Sequence, residues 1–114
     1  MICHLHFPIG YQTENIHNDN LDMHVILRDG TVYFLILITL ENIQSLMAKE
    51  ELNLSSYFWI EDMLIVKDLS LDRIKVAIKE VVAAEQLEQI GDKIGTVASV
   101  FGSEAPYHRW HLVE

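Results

Sequence analysis

Four histidines and one cysteine lie near the chain ends, in spacings that could bind a metal or arm a nucleophile. His4 and His6 are two residues apart, so a strand turns both to one face. His108 and His111 are three apart and share a face on a helical turn. The four rings offer up to four nitrogens, a donor set suited to zinc or nickel. Such a site needs the two termini to meet, as they often do in small domains. The plainer expectation is histidines scattered on the ends, with no metal and no cofactor. Cys3 beside His4 and His6 has the parts of a thiolate–imidazole pair. A thiol two residues from the start, however, is rarely held in the electropositive cleft that lowers its pKa. His24 alternates with Met23 and Val25 and is expected on the outer, exposed face of its strand.

Carboxylates are the other candidates for chemistry. Glu50/Glu51 and Glu61/Asp62 are the closest pairs. Paired acids do acid–base work when burial drives their pKa values apart. These pairs fall at a helix end and in a turn, where water keeps both ionised. The sequence has no Gly-rich phosphate loop, no Gly-x-Ser-x-Gly and no His-Glu-x-x-His. No enzyme activity is expected.

The positioning elements follow from periodicity. A short strand is expected at Cys3–Phe7, then a loop through the Asn/Asp-rich stretch 15–20. Asp22–Arg28 alternates as a half-buried strand. Asp29-Gly30 reads as a type I′ hairpin turn. The returning strand, Thr31–Ile38, is apolar on both faces. It should lie centrally and be covered on both sides, or on one side by a partner. Thr39 is a good N-cap for a helix to about Glu50, with Leu40, Ile43, Leu46 and Met47 as its stripe. Residues 57–60 and 63–67 read as a second hairpin around Glu61-Asp62. Ser70 caps a longer helix, expected to about Ile90 with Gly91 as its C-cap. Ile78 and Leu87 are nine residues apart, roughly 900° around a helix, so its buried face changes sides near Val82. The helix must bend or break there, or its distal half packs elsewhere. Lys93–Phe101 is ambiguous between strand and helix. The expected fold is one α+β domain over residues 1–114: an antiparallel sheet of two hairpins with two helices, in ββαββα-like order.

Composition bounds the partners. Seventeen carboxylates against eight Lys and Arg give a formal charge of −9, on a chain that is 50% hydrophobic. A disordered acidic chain lacks such apolar content, so the charge clothes a folded surface. That field attracts cations and repels nucleic acid and anionic lipid. Residues 50–72 hold Glu50, Glu51, Glu61, Asp62, Asp68 and Asp72 against Lys67 alone, and residues 80–92 hold four acids with no counter-charge. A solvated surface that keeps the protein soluble is the plainer account. The longest apolar run, 32–40, is half the length that spans a bilayer. A single cysteine and no signal-like start fit a cytoplasmic protein.

Thr39-Leu40-Glu41-Asn42-Ile43-Gln44-Ser45-Leu46-Met47, then Tyr57-Phe58-Trp59 and Asp62–Ser70, resemble stretches of small bacterial proteins. In size, acidity and lack of a catalytic motif the chain is similar to immunity proteins of bacterial toxin systems, including those of contact-dependent inhibition. The resemblance spans about residues 22–80. Immunity proteins share no common motif, so no residue's role is carried over. What it implies is a protein that neutralises a basic toxin, a nuclease, by mimicking the polyanion the toxin grips. The expected binding face is Glu50, Glu51, Glu61, Asp62 and Asp68 around the second hairpin, with Tyr57 or Trp59 as anchor. The alternative is a self-associating structural or regulatory subunit, a homodimer, joined through strand 31–38 or the helix face beyond Val82.

Overall fold

The structure, a computed structural model, describes residues 1–49 and 56–114. The strands are β1 (Cys3–His6), β2 (Asn20–Leu27), β3 (Thr31–Ile38), β4 (Met63–Ile65), β5 (Asp92–Thr96) and β6 (His111–Val113). The helices are α1 (Leu40–Met47), α2 (Leu71–Ala83), α3 (Leu87–Ile90) and α4 (Val97–Phe101). The fold is α+β. One sheet runs β4-β3-β2-β1-β6, and β5 joins β3 on the same edge as β4.

Alternation along β2 and β3 decides the layers. Met23 faces Leu35 across the ladder and Val25 faces Tyr33. This inner face also carries Cys3 and Leu5, and packs on Ile74, Ile78 and Val81 of α2. The outer face carries His4, His6, His24, Ile26, Val32 and Phe34, on the pairs opposite those of the inner face. The C-terminal segment folds back over it, so Val32 and Ile26 are buried as fully as the core. Strand β3 is thus central and covered on both sides by its own chain.

The first hairpin forms, with a different turn. Gly30 N–H donates to the Leu27 carbonyl at 3.0 Å, and Gly30 takes φ +87° while Asp29 stays at negative φ. This is a three-residue loop closed by a left-handed glycine, not a type I′ turn. Asp29 Oδ1 accepts from the Thr31 N–H and fixes it.

The second hairpin does not form. Residues 57–60 join no ladder, and β4 lies parallel to β3, with Ile36, Leu37 and Ile38 opposite Met63, Leu64 and Ile65. With α1 between them, β3 and β4 make a strand–helix–strand crossover. A parallel neighbour requires such a connection, whereas a tight turn gives only an antiparallel one.

Both expected caps are made. Thr39 Oγ1 accepts from the Asn42 N–H at 3.3 Å and Ser70 Oγ from the Arg73 N–H at 3.4 Å. The face change near Val82 is a break: α2 ends at Ala83 and Glu85 takes φ +56°, before α3 resumes at Leu87. Leu87 is buried in the same core as Ile78, so the break turns both residues inward. Gly91 follows α3 where the backbone crosses β3. A Cβ there would sit 2.5 Å from Leu35 Cδ2 and 3.0 Å from the Phe34 carbonyl oxygen. Gly91→Ala is expected to cost about 1–3 kcal/mol by overpacking, read as a lower urea midpoint; an unchanged midpoint would refute the close approach.

Candidate functional site

Burial alternates through the segment before β4. Tyr57, Trp59 and Glu61 are exposed, whereas Phe58 and Ile60 are partly buried. Phe58 and Ile60 therefore anchor the segment and turn the other three toward water. Tyr57 is 69% and Trp59 71% exposed, against 4% for Tyr33 in the core. Asp62 sits at φ +59°, a conformation that Asp and Asn tolerate better than other side chains. Its carbonyl accepts from the Ile36 N–H at 2.8 Å, which ties the turn to β3. Two aromatics and two carboxylates thus share one short, anchored stretch.

The other expected contact residues divide. Glu50 and Glu51 lie outside the described residues. Asp68 is engaged within the chain. Its Oδ1 accepts from Ser70 Oγ at 2.6 Å and Ser70 N–H at 2.9 Å, and its Oδ2 is 3.6 Å from Arg73 Nε. The Ser70 hydroxyl and N–H, followed by Arg73, hold this carboxyl below the usual range. Asp68 organises the start of α2 and is not a free carboxylate of the face.

Cys3 is buried on the inner face, with no disulfide partner. Burial pushes its thiol up to about 11. His4 and His6 point to the opposite face, so no imidazole from β1 reaches the sulfur, and thiolate chemistry has no support at this position.

The histidines show an arrangement that spacing alone did not reveal. The termini do meet, since β1 pairs with β6 and Leu5 lies opposite His111. That register puts His111 on the inner face against Phe7, whereas His4 and His6 face outward. The four rings are therefore split by the sheet. Among the described residues, no group of three His, Cys, Asp or Glu is placed to hold a metal ion.

His24 departs from the expected exposure. It lies directly opposite His6 in the ladder, their rings stack at 5.2 Å and 15°, and the two Nδ1 atoms are 3.0 Å apart. Phe101 from α4 stands edge-on to both rings, at 5.2 and 5.6 Å. Desolvation lowers both rings' pKa values, that of His6 to about 4, with the charges of His24, Arg109 and His111 adding to it. The available signal was the period of two, which places His6 and His24 each on an outer face. The missing piece was strand register.

A groove of about 400 Å³ runs between β4 and α2, lined in part by Leu64, Ile65, Lys67, Val76 and Glu80. Ile65 is 45% and Val76 54% exposed. Among the described residues, β4 pairs only with β3, so its outer edge is open. Also among the described residues, no helix is long and apolar enough to cross a membrane.

Comparison with protein-family models, curated proteins and solved structures gave no match. The functional reading rests on the chain's own residues.

Proposed function

We propose that this protein binds and neutralises a basic cognate protein, a toxin domain of the nuclease kind, in the manner of an immunity protein. The supporting observation is the pair of exposed aromatics, Tyr57 and Trp59, beside Glu61 and Asp62. Large aromatics dominate binding energy when a partner covers them. Two of them turned to water on one short anchored segment offer a start to the kind of apolar patch that marks interaction sites. The carboxylates next to them and the −9 field select a cationic partner and speed its approach. A nuclease has such a surface, because it must grip phosphates.

The test combines Glu61→Lys with Asp62→Asn, since asparagine keeps the left-handed turn that Asp62 requires. Affinity for the basic domain is expected to fall about tenfold or more, with a slower association rate at low salt. Unchanged affinity in surface plasmon resonance would remove this face from the interface.

The second reading, self-association, draws on the open β4 edge and the groove beside it, where Ile65 and Val76 are exposed. Its two grounds in the sequence are now accounted for within the chain. Strand β3 is covered on both faces, and the break after Ala83 returns Leu87 to the core. Sedimentation velocity is expected to give a monomer; a tight dimer without a partner would favour this second reading.

A further inference from the structure

The outer face of the sheet is closed by a layer whose Phe101 rests on one pair of side chains. Phe101 packs on His6, His24 and Trp110. Trp110 continues the layer to His4 at 5.6 Å and Tyr107 at 4.6 Å. Beneath it lie Ile26 and Val32, which are 2% and 0% exposed. The layer is also tied to the sheet at both ends: by the Val97 N–H to the Gly30 carbonyl and β5 on β3 before it, and by β6 on β1 after it. The buried Nε2 of His6 and Nε1 of Trp110 have no hydrogen-bond partner, so this polar cluster is incompletely satisfied.

The Nδ1–Nδ1 contact can hold one hydrogen. Two neutral rings satisfy it, one donating and the other accepting. With one added proton the bond survives, because the second ring still accepts. With both rings protonated, N–H meets N–H and two positive charges stack in a dry site. The charges around the pair relieve this only on one ring. Asp22, two residues along β2, favours a charged His24, but Arg109 from the turn before β6 and, from the other side of the sheet, His111 oppose a charged His6. His4 shares the outer face and adds no negative charge.

We propose that the His6–His24 pair is an acid-operated release for residues 97–110: the shared proton keeps Phe101 seated, and protonation of both rings unseats the layer. The inner core needs no part in this, since α2 covers the opposite face. The sign follows from linkage. His6 takes up a proton near 6.5 when released but only near 4 when covered. The seated state therefore has its full advantage above pH 6.5 and loses it as pH falls toward 4.

The experiment follows amide exchange by residue and Trp110 fluorescence from pH 8 to about pH 4, in a Trp59→Phe background that leaves Trp110 as the one tryptophan. Amides of 97–110 are expected to lose protection tenfold or more between pH 6.5 and 4, once intrinsic exchange rates are corrected, while β2 and β3 stay protected. In His24→Gln only one ring can charge, and the loss should move at least about one pH unit lower. The proposal is overturned if the layer stays protected at pH 4, if β2 and β3 open with it, or if His24→Gln leaves the midpoint unmoved. Should that variant not fold, ring resonances of the wild type decide: His6 titrating at 6.5 or above in the seated state would also overturn it.

Discussion

Shortening Leu35 to alanine is expected to destabilise the fold by about 3 kcal/mol. Leu35 is fully buried on the inner face of β3 and lies opposite Met23. Gly91 presses against its Cδ2 from the side. A side chain held from both strand and loop leaves a void that neither can fill by small shifts, which places the cost well above simple transfer. A small domain has a total stability of about 5–15 kcal/mol, so the change should move the urea midpoint markedly with little change in slope. A loss below about 1 kcal/mol would mean that β3 is not the centre of the core.

The second large effect is on binding, with stability unaffected. Trp59→Ala is expected to weaken the basic partner about 30-fold or more, the loss typical of a central aromatic anchor. Thermal stability should change by no more than about 0.5 kcal/mol, because the Trp59 ring is 71% exposed. The same separation is expected of Tyr57→Ala. A large stability loss with unchanged affinity would reverse the assignment and make Trp59 a packing residue. Phe58 is the internal control: it is partly buried in the same segment, so its truncation should cost stability first.

Local signals in the sequence proved the most legible. Thr39 and Ser70 cap helices where their types and positions indicated. The period of two over 22–28 turns Met23 and Val25 inward as expected, whereas 31–38, apolar on both faces, indicated only a central strand covered on both sides. The half-turn offset between Ile78 and Leu87 left a bend, a break or packing elsewhere open, and Glu85 takes the left-handed conformation that makes it a break. Pairing between distant segments was not legible. Residues 57–60 have strand-like alternation but no ladder, because β4 reaches β3 by way of α1 and pairs in parallel. Nothing in the composition of Glu61-Asp62 distinguishes a hairpin turn from the entry to a crossover strand.

The histidines show the same limit. Spacing grouped His4 and His6 correctly but offered His108 and His111 as companions. It is the β1–β6 register that turns His111 to the other face, and the β1–β2 register that brings His24 to His6. For the binding face, exposure of Tyr57 and Trp59 was an expectation that only side-chain burial could decide, since one member of the Phe58/Trp59 pair had to point inward. Asp68 looked like one more free carboxylate, and its engagement by Ser70 depends on the Asp-x-Ser turn that opens α2.

The most direct test of the binding account is calorimetry of the wild-type chain against its candidate cognate toxin domain, sought first in the neighbouring genes, at low and at moderate salt. One-to-one binding that weakens with salt, and that abolishes the domain's toxicity, is the predicted result. No heat at either salt would contradict it and leave the open edge of β4 as the surface to pursue.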